Sequence, residues 1–222
     1  ESMVGKSVIL LAEQGLGDTI QFSRFATTLA DVGATVFLMC NPALQNILSS
    51  VRGISRVLSP DDALPPVDYQ VSLLDLPGLF GITDKTIPCA DGYIGVPETF
   101  ADAQTTDVLN RLAAETGKRR VGLVWSGNPS NKTDYKRSIP LADFSPLLDC
   151  PDSKFFSLQI GSALQQLDQL PAAIRPVNLC AEALPLGDMA GVIASLDLLI
   201  TVDTSLAHLA GALGVPVWTL IS

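Results

Sequence analysis

Short apolar runs alternate with amphipathic segments along most of the 222-residue chain. The apolar runs are rich in β-branched residues, which suits strands that are buried on both faces of a parallel sheet. The segments between them place apolar residues at the spacing of one helix face. This alternation predicts an α/β fold in which parallel strands and helices follow one another in a doubly wound arrangement.

The pattern starts twice along the chain. A strand over residues 6–12 leads into a glycine-rich turn, and the basic residues 118–120 are followed by another strand and another glycine turn. Between the two starts, a polar helix over residues 102–116 ends at Gly117. We therefore predict two Rossmann-like parallel-sheet domains, residues 1–117 and residues 118–222, that face a cleft.

Each predicted domain contains several strands and helices. In the first domain we expect further strands at 34–40, 54–58 and 69–74, helices at 20–32 and 42–50, and a loop or short helix at 76–80. In the second domain we expect strands at 121–125, 154–159, 177–179, 198–202 and 215–221, with helices at 141–148, 164–170 and 186–195.

The last stretch of the chain carries the clearest candidate site. A buried strand over residues 198–202 is followed by Asp203, Thr204 and Ser205, whose oxygens can cap a helix that ends at Gly214. The only histidine, His208, lies in the first turn of that helix. Free backbone N–H groups at such a helix start predict an anion site. The alternative is an ordinary βαβ unit in which these residues serve only as caps.

The first glycine-rich turn carries a second candidate site. Gly15 and Gly17 form half of a dinucleotide-binding fingerprint, but Ile20 stands where the third glycine is needed, so no nicotinamide cofactor is predicted. The two glycines let a ligand approach the backbone beside Asp18. That carboxylate is interpreted as the N-cap of the next helix, as a base that accepts a proton from a substrate hydroxyl, or as both at once.

A polar loop over residues 126–138 carries three cations in an otherwise acidic protein. It is either a solvated surface loop or the source of a fixed positive charge. In the second interpretation, Arg137 or Lys136 lies opposite the helix start at Thr204 and binds a diphosphate.

Composition excludes several classes of function. A net charge of −9 and a pI near 4.4 argue against nucleic acid or an anionic membrane as the main partner. The four cysteines have no paired spacing, which excludes a cysteine-based zinc signature and predicts reduced thiols in a cytoplasmic protein. No metal-ligand cluster and no G-x-S-x-G motif occurs, and no apolar run is long enough to be a transmembrane segment.

Four motifs together resemble glycosyltransferase family 9, the ADP-heptose:lipopolysaccharide heptosyltransferase-like family with a two-domain GT-B fold. The similar segments are residues 13–22, residues 124–129 followed by 137–141, residues 157–159 and residues 197–214. The similarity is greatest to a bacterial branch in which such a domain follows tetratricopeptide repeats. Because the GT-B fold continues beyond its last strand, the resemblance also implies that the chain lacks the C-terminal part of the fold.

The resemblance implies an inverting, metal-independent transfer of a sugar from a nucleotide-diphosphate donor to an acceptor hydroxyl, without a cofactor. The resemblance does not identify the acceptor, and a glycan, a lipid-linked sugar and a protein all stay open. By position, Asp18 is similar to the catalytic base, and Gly15, Gly17 and Gln21 belong to the acceptor-side loop. The residues implied in donor binding are Ser126, Gly127, Arg137, Gln159, Asp203, Thr204, Ser205 and His208.

Three positions depart from the family pattern. Arg137 stands where heptosyltransferases carry a lysine, Ser205 stands where they usually have glycine, and residues 158–163 offer no glutamate to a donor ribose. The identity of the donor therefore stays open. Two other functions also stay open: a non-catalytic sugar- or partner-binding module of the same fold, and a nucleotide-sugar epimerase.

Overall fold

The computed structural model describes residues 2–89, 91–180 and 182–221. The chain forms two compact units. The first comprises Glu1–Glu98 with Ala212–Gly214, and the second comprises Thr99–Gly211 with Val215–Ser222. In the part of the chain that the structure describes, no helix is long and apolar enough to cross a membrane.

The first unit contains a four-stranded parallel sheet in the order β3-β2-β1-β4. Its strands are β1 (Ser7–Leu11), β2 (Thr35–Met39), β3 (Ile54–Leu58) and β4 (Tyr69–Ser72). Its helices are α1 (Leu16–Ser23), α2 (Ala26–Asp31), α3 (Gln45–Leu48) and α4 (Leu76–Leu79), and a 3₁₀ turn precedes α3. All four strands lie where the hydrophobic pattern predicts them.

The predicted helix over residues 20–32 is wrong in two respects, because it starts earlier and is interrupted. The helix α1 begins at Leu16, with Gly15 as its N-cap. At its other end, the Ser23 hydroxyl donates to the carbonyl of Ile20 at 2.8 Å, and the Phe25 N–H donates to the carbonyl of Phe22 at 3.1 Å. These three-residue bonds tighten the chain and separate α1 from α2.

The second unit contains a five-stranded parallel sheet in the order β7-β6-β5-β8-β9. Its strands are β5 (Arg119–Val124), β6 (Ser153–Ser157), β7 (Val177–Asn178), β8 (Leu198–Val202) and β9 (Val217–Leu220). Its helices are α5 (Ala103–Ala114), α6 (Ser145–Leu148), α7 (Leu186–Ala194) and α8 (Ser205–Ala212). The segment predicted as a helix at 164–170 is instead a 3₁₀ helix over Ser162–Gln169.

Apolar side chains from three adjacent strands and the segments that cover them form a core on the second sheet. This core consists of Val121, Leu123, Trp125, Leu141, Phe144, Leu148, Phe155, Leu167, Leu170 and Ile200. The helix α8 closes with Gly214 in the left-handed region at a φ of 75°, and the Val215 N–H donates to the carbonyl of Ala210 at 2.9 Å. This is the C-terminal cap that the sequence predicts.

The helix α5 belongs to the second unit, although the predicted division at residue 117 places it in the first domain. Asp188, near the start of α7, is fully buried and fixes the start of α5. Its carboxylate accepts hydrogen bonds from the N–H groups of Ala101 (2.9 Å) and Asp102 (2.7 Å) and from the Thr105 hydroxyl (2.7 Å). A buried carboxylate needs such partners, so the contact ties residues 101–105 to the second unit.

We expect Asp188→Asn to lower the free energy of unfolding by about 2 kcal/mol, because an amide cannot accept all three bonds and loses the charge that strengthens them. Urea unfolding followed by circular dichroism measures the change. The matched control is Asp107→Asn on the exposed side of α5, which should leave the transition unchanged. Equal midpoints for the two variants would contradict this role of Asp188.

The contribution of Asp188 should also depend on pH. Burial alone would raise the pKa of this carboxyl, but the bonds from Ala101, Asp102 and Thr105 outweigh it and lower the pKa below its ordinary 3.8. The stabilisation is therefore present above pH 3.8 and is lost as the pH falls through the lower folded-state pKa. The difference between the wild type and Asp188→Asn should narrow at acidic pH.

Candidate functional site

The start of α8 lies directly after β8, an interior strand of the second sheet. Asp203 and Thr204 form the turn, and the helix begins at Ser205. The Thr204 hydroxyl lies 3.2 Å from that of Thr201, and the Thr204 carbonyl accepts the Ala207 N–H at 3.1 Å. The first amides of a helix have no acceptor within it, so this turn presents N–H donors at the carboxyl end of the sheet.

Arg137 links the polar loop to this helix start. Its Nη1 donates to the carbonyl of Asp203 at 3.0 Å, and its Nε donates to Oδ1 of Asp134 at 2.9 Å. The structure therefore brings Arg137 beside the turn that precedes α8, as the second interpretation of the loop requires. Lys136 is exposed, and its ammonium lies 6.0 Å from the ring centroid of Tyr135.

Sequence reasoning missed Asp134 and Ser138, which hold Arg137 in position. Asp134 is only 8% exposed, and its second carboxylate oxygen accepts the Ser138 hydroxyl at 2.7 Å. The Ser138 oxygen also accepts the Gly127 N–H at 3.2 Å and lies 3.1 Å from the hydroxyl of Ser126. The sequence signal that could have revealed the pair is its spacing, because an aspartate three residues before an arginine can pair with it within one turn.

Gly127 occupies a position where a side chain has no room. A Cβ atom there would lie 2.8 Å from Nε of Arg137 and would clash with Oδ1 of Asp134. The absence of a side chain at Gly127 thus allows the ion pair between Arg137 and Asp134 to pack against the loop backbone.

Gln159 is a structural clamp rather than a free ligand-binding group. Its Oε1 accepts the N–H groups of Trp125 (3.0 Å) and Ser126 (2.9 Å), and its Nε2 donates to the carbonyls of Ser126 (3.1 Å) and Ile160 (3.0 Å). An amide has two donor hydrogens and two acceptor lone pairs, so these bonds saturate it. A direct contact with a donor, which the motif predicts, would require one of them to break.

Two further features of the second unit lie near this site. His208 is partly buried, and within the described part of the chain its imidazole makes no hydrogen bond. A pocket of about 420 Å³ adjoins the loop and is lined by Ser126, Ser138, Ile139, Pro140, Gln166 and Gln169. Two glutamines and two hydroxyls give this pocket neutral hydrogen-bonding groups.

A larger pocket of about 550 Å³ lies in the first unit at the carboxyl ends of β1 and β2. It is lined by Leu11, Ala12, Glu13, Gln14, Gly15, Leu16, Thr19, Met39, Cys40, Asn41 and Pro60. This edge of a parallel sheet is where ligands bind in doubly wound folds. The contribution of residues 39–41 was missed, although their place directly after a predicted strand was a usable signal.

The acceptor-side residues predicted from sequence are divided between two places. Gly15 lines the larger pocket, whereas Gln21 lines a second pocket of about 290 Å³ beside Arg24 and Phe25. Gly17 and Asp18 lie in the first turn of α1. Asp18 is not the N-cap: it is the third helical residue, and its Oδ2 accepts the Gly15 N–H at 3.2 Å.

The second unit is similar in sequence to one family of known proteins. Residues 158–221 match the family model of glycosyltransferase family 9 (heptosyltransferase). Protein FlbA of Caulobacter vibrioides is 24% identical over 243 residues, which cover 99% of this chain and 40% of FlbA. The chain thus spans well under half the length of this curated relative. The association with tetratricopeptide repeats stays a prediction.

Solved structures share the fold. A glycosyltransferase of family 9 from Veillonella parvula matches with a TM-score of 0.70 at 13% identity, over 99% of this chain and 81% of that one. Heptosyltransferase WaaC of E. coli, solved with ADP-2-deoxy-2-fluoro heptose, matches with a TM-score of 0.62 at 14% identity, over 96% of this chain and 88% of that one. These matches confirm the predicted α/β fold of the GT-B type, and with the family model they confirm the resemblance to family 9.

We expect Gly127→Ala to lower the free energy of unfolding of the second unit by about 1–3 kcal/mol, because the new methyl group must displace Asp134 or Arg137. Thermal unfolding monitored by near-UV circular dichroism measures the loss. The control is Gly78→Ala in α4, where an added Cβ meets nothing within 4 Å and alanine favours the helix. A Gly127→Ala variant as stable as the wild type would show that the ion pair can move freely.

Proposed function

We propose that this chain, which resembles glycosyltransferase family 9 in its last motif and in its fold, transfers a sugar from a nucleotide-diphosphate donor to an acceptor hydroxyl. Asp18 takes the hydroxyl proton, and the acceptor oxygen attacks the anomeric carbon from the side opposite the leaving group. The bond between that carbon and the diphosphate oxygen breaks, and the diphosphate leaves with the electron pair. The new bond therefore has inverted configuration, and the step needs no metal.

The observation that carries the proposal is the fixed guanidinium beside the start of α8. Among the described residues, Arg137 uses Nε and one hydrogen of Nη1 in its bonds to Asp134 and Asp203, so its remaining N–H groups are left for a ligand. A guanidinium held in this way meets a phosphate without losing further side-chain entropy. The protein carries a net charge of −9, so a diphosphate needs a local cation of this kind.

The helix start adds to this positive potential. The N-terminus of α8 carries a partial positive charge and unpaired N–H donors, which stabilise an anion at short range. Thr204 and Ser205 supply hydroxyls at this helix start, and His208 lies three residues after Ser205 in the first turn of α8. As negative charge builds up on the leaving diphosphate, these groups and Arg137 stabilise it more strongly than they stabilise the ground state.

Asp18 is suited to the role of base because, in the part of the chain that the structure describes, only one of its oxygens accepts a hydrogen bond. Its Oδ2 accepts the Gly15 N–H, which fixes the carboxylate at the first turn of α1. The other oxygen is left to accept the proton of an acceptor hydroxyl. The nucleotide is not specified by these contacts, and ADP is the first to test because a structurally similar heptosyltransferase was solved with an ADP-sugar analogue.

All four cysteines of the protein are free thiols. Free thiols persist in reducing compartments, so we propose that the protein acts in the cytoplasm.

We expect Arg137→Ala to weaken the binding of ADP about 10- to 100-fold, because a charge-assisted hydrogen bond contributes about 1.5–3 kcal/mol. Calorimetry with ADP, UDP and GDP first identifies the nucleotide that binds the wild type most tightly. The loss of affinity in the variant is then measured with that nucleotide. Arg137→Lys should fall between the wild type and Arg137→Ala, since an ammonium cannot reproduce the planar fork. The control is Arg119→Ala at the opposite end of β5. An unchanged affinity in Arg137→Ala would show that the diphosphate does not bind beside this guanidinium.

We expect Asp18→Asn to keep donor affinity and to lower the rate of acceptor-dependent nucleotide release at least 100-fold, since general-base catalysis contributes about 10²–10⁴-fold. Nucleotide release from an ADP-sugar, measured with a coupled assay, gives the rate. In the wild type, release should continue in EDTA, and NMR of the product should show the opposite anomer. A retained anomer or a chelator-sensitive rate would contradict direct metal-independent displacement.

The same measurements separate the two alternative functions. A binding module would bind the nucleotide sugar without acceptor-dependent release, whereas an epimerase would change the sugar without an acceptor. If Asp18→Asn did not change the rate of acceptor-dependent nucleotide release, the protein would still be a transferase, but its base would be another residue.

A further inference from the structure

We infer that the larger pocket of the first unit binds an uncharged, polyhydroxylated acceptor and discriminates against anionic ones. The inference rests on the proposed function, because it assigns the acceptor class of that same reaction. The pocket is defined by its eleven lining residues at the carboxyl ends of β1 and β2, and it measures about 550 Å³. That volume is within the range of pockets that hold a ligand of one or two sugar rings.

The charged lining of this pocket is a single carboxylate. Among the described residues that line it, Glu13 is the one charged side chain, and no lysine, arginine or histidine is present. The Ser72 hydroxyl donates to Oε2 of Glu13 at 2.5 Å, which fixes the carboxylate at the rim. Burial raises the pKa of Cys40 to about 11, so this thiol is neutral at physiological pH. A phosphate or carboxylate would enter without a counter-charge and would meet Glu13.

Three of the basic side chains of the first unit are engaged elsewhere. Lys6 pairs with Asp68 at 3.1 Å, Arg52 pairs with Asp31 at 2.8 Å, and Arg24 lies 4.6 Å from the ring centroid of Tyr93. Residues 1–98 contain five basic and eleven acidic residues. The surroundings of the pocket are therefore negative on balance, which lowers the local concentration of anions.

The helix start at this pocket does not attract anions either. Asp18 lies within the first turn of α1 and takes the Gly15 N–H, so its negative charge opposes the positive end of the helix dipole. At α8, by contrast, a guanidinium lies beside the turn. The two helix starts thus favour ligands of different charge.

The other lining groups suit hydroxyls and the apolar faces of sugar rings. Asn41 uses its Oδ1 to cap the Ala43 N–H at 3.0 Å, which leaves its NH₂ group as a donor. Gln14 is exposed, and within the described residues Glu13 keeps one carboxylate oxygen without a hydrogen bond, which can serve as an acceptor. Leu11, Ala12 and Met39 are among the apolar lining residues. Neutral amides and one carboxylate above an apolar floor match a glycan without charged substituents.

The test compares three sugars that differ in charge: glucosamine, glucose and glucose 6-phosphate. Each is titrated into the isotopically labelled protein, and the NMR shifts of residues 11–19 and 39–41 report binding at the pocket. We expect glucose and glucosamine to bind at least fivefold more tightly than glucose 6-phosphate, which is the effect of one unscreened charge a few ångströms away. Equal or tighter binding of the phosphate would overturn the inference, and so would a lack of binding by all three sugars.

Charge variants make the test independent of folding defects. Gln14→Lys should raise the affinity for glucose 6-phosphate relative to glucose about fivefold, and Glu13→Gln should raise it less. Glu98→Gln, the same chemical change outside the pocket, should leave the ratio as in the wild type. If the affinity for glucose 6-phosphate relative to that for glucose were the same in Gln14→Lys as in the wild type, the inference would be overturned.

Because the measurement uses binding of sugars alone, its outcome is separate from that of the donor and turnover experiments. If ADP did not bind, the proposed transferase function would be contradicted. The charge preference of the pocket could still be measured with the three sugars. A protein acceptor would be indicated by the absence of sugar binding together with intact donor binding, and that result would also overturn the inference.

Discussion

The candidate site of the second unit depends on Arg137, which forms an ion pair within its own loop and a hydrogen bond to a turn that is distant in sequence. Arg137 holds Asp134 with Nε and the carbonyl of Asp203 with Nη1, so a single side chain joins the polar loop after β5 to the turn before α8. Removal of either partner would leave a charge or a carbonyl without its bond in a partly buried position. The loop and the helix start are therefore positioned together, which is what a site for a multiply charged ligand requires.

Two neighbouring residues, Gln159 and Gly127, allow the ion pair between Arg137 and Asp134 to form in a fixed position. Gln159 fixes the backbone at Trp125 and Ser126 through three bonds, and Gly127 leaves the space into which Asp134 and Arg137 pack. The bonds to Asp134 and Asp203 limit the guanidinium to few orientations, and the space left by Gly127 lets it adopt them. A preorganised cation of this kind loses less entropy on binding than a free surface lysine would.

The sequence predicts the strands better than it predicts the site. Strands β3 and β8 have the predicted bounds, because buried parallel strands leave an apolar signature that depends on local sequence alone. The interruption of the helix after Ser23 and the attachment of α5 through Asp188 depend on particular hydrogen bonds that no periodicity reveals. Gln159 shows the same limit, since its type and position were identified but its four backbone partners could be known only from the fold.

The same backbone geometry occurs twice in this protein, with different electrostatic results. Helices α1 and α8 each begin at the carboxyl end of an interior parallel strand, and each start presents backbone amides there. At α1 the carboxylate of Asp18 takes one amide and adds a negative charge, whereas at α8 the guanidinium of Arg137 lies against the preceding carbonyl. The fold supplies the position of a ligand, and one or two nearby side chains set its charge. We therefore propose that an aspartate inside the first turn gives one helix start a preference for neutral ligands, and that an arginine from a distant loop gives the other a preference for anions.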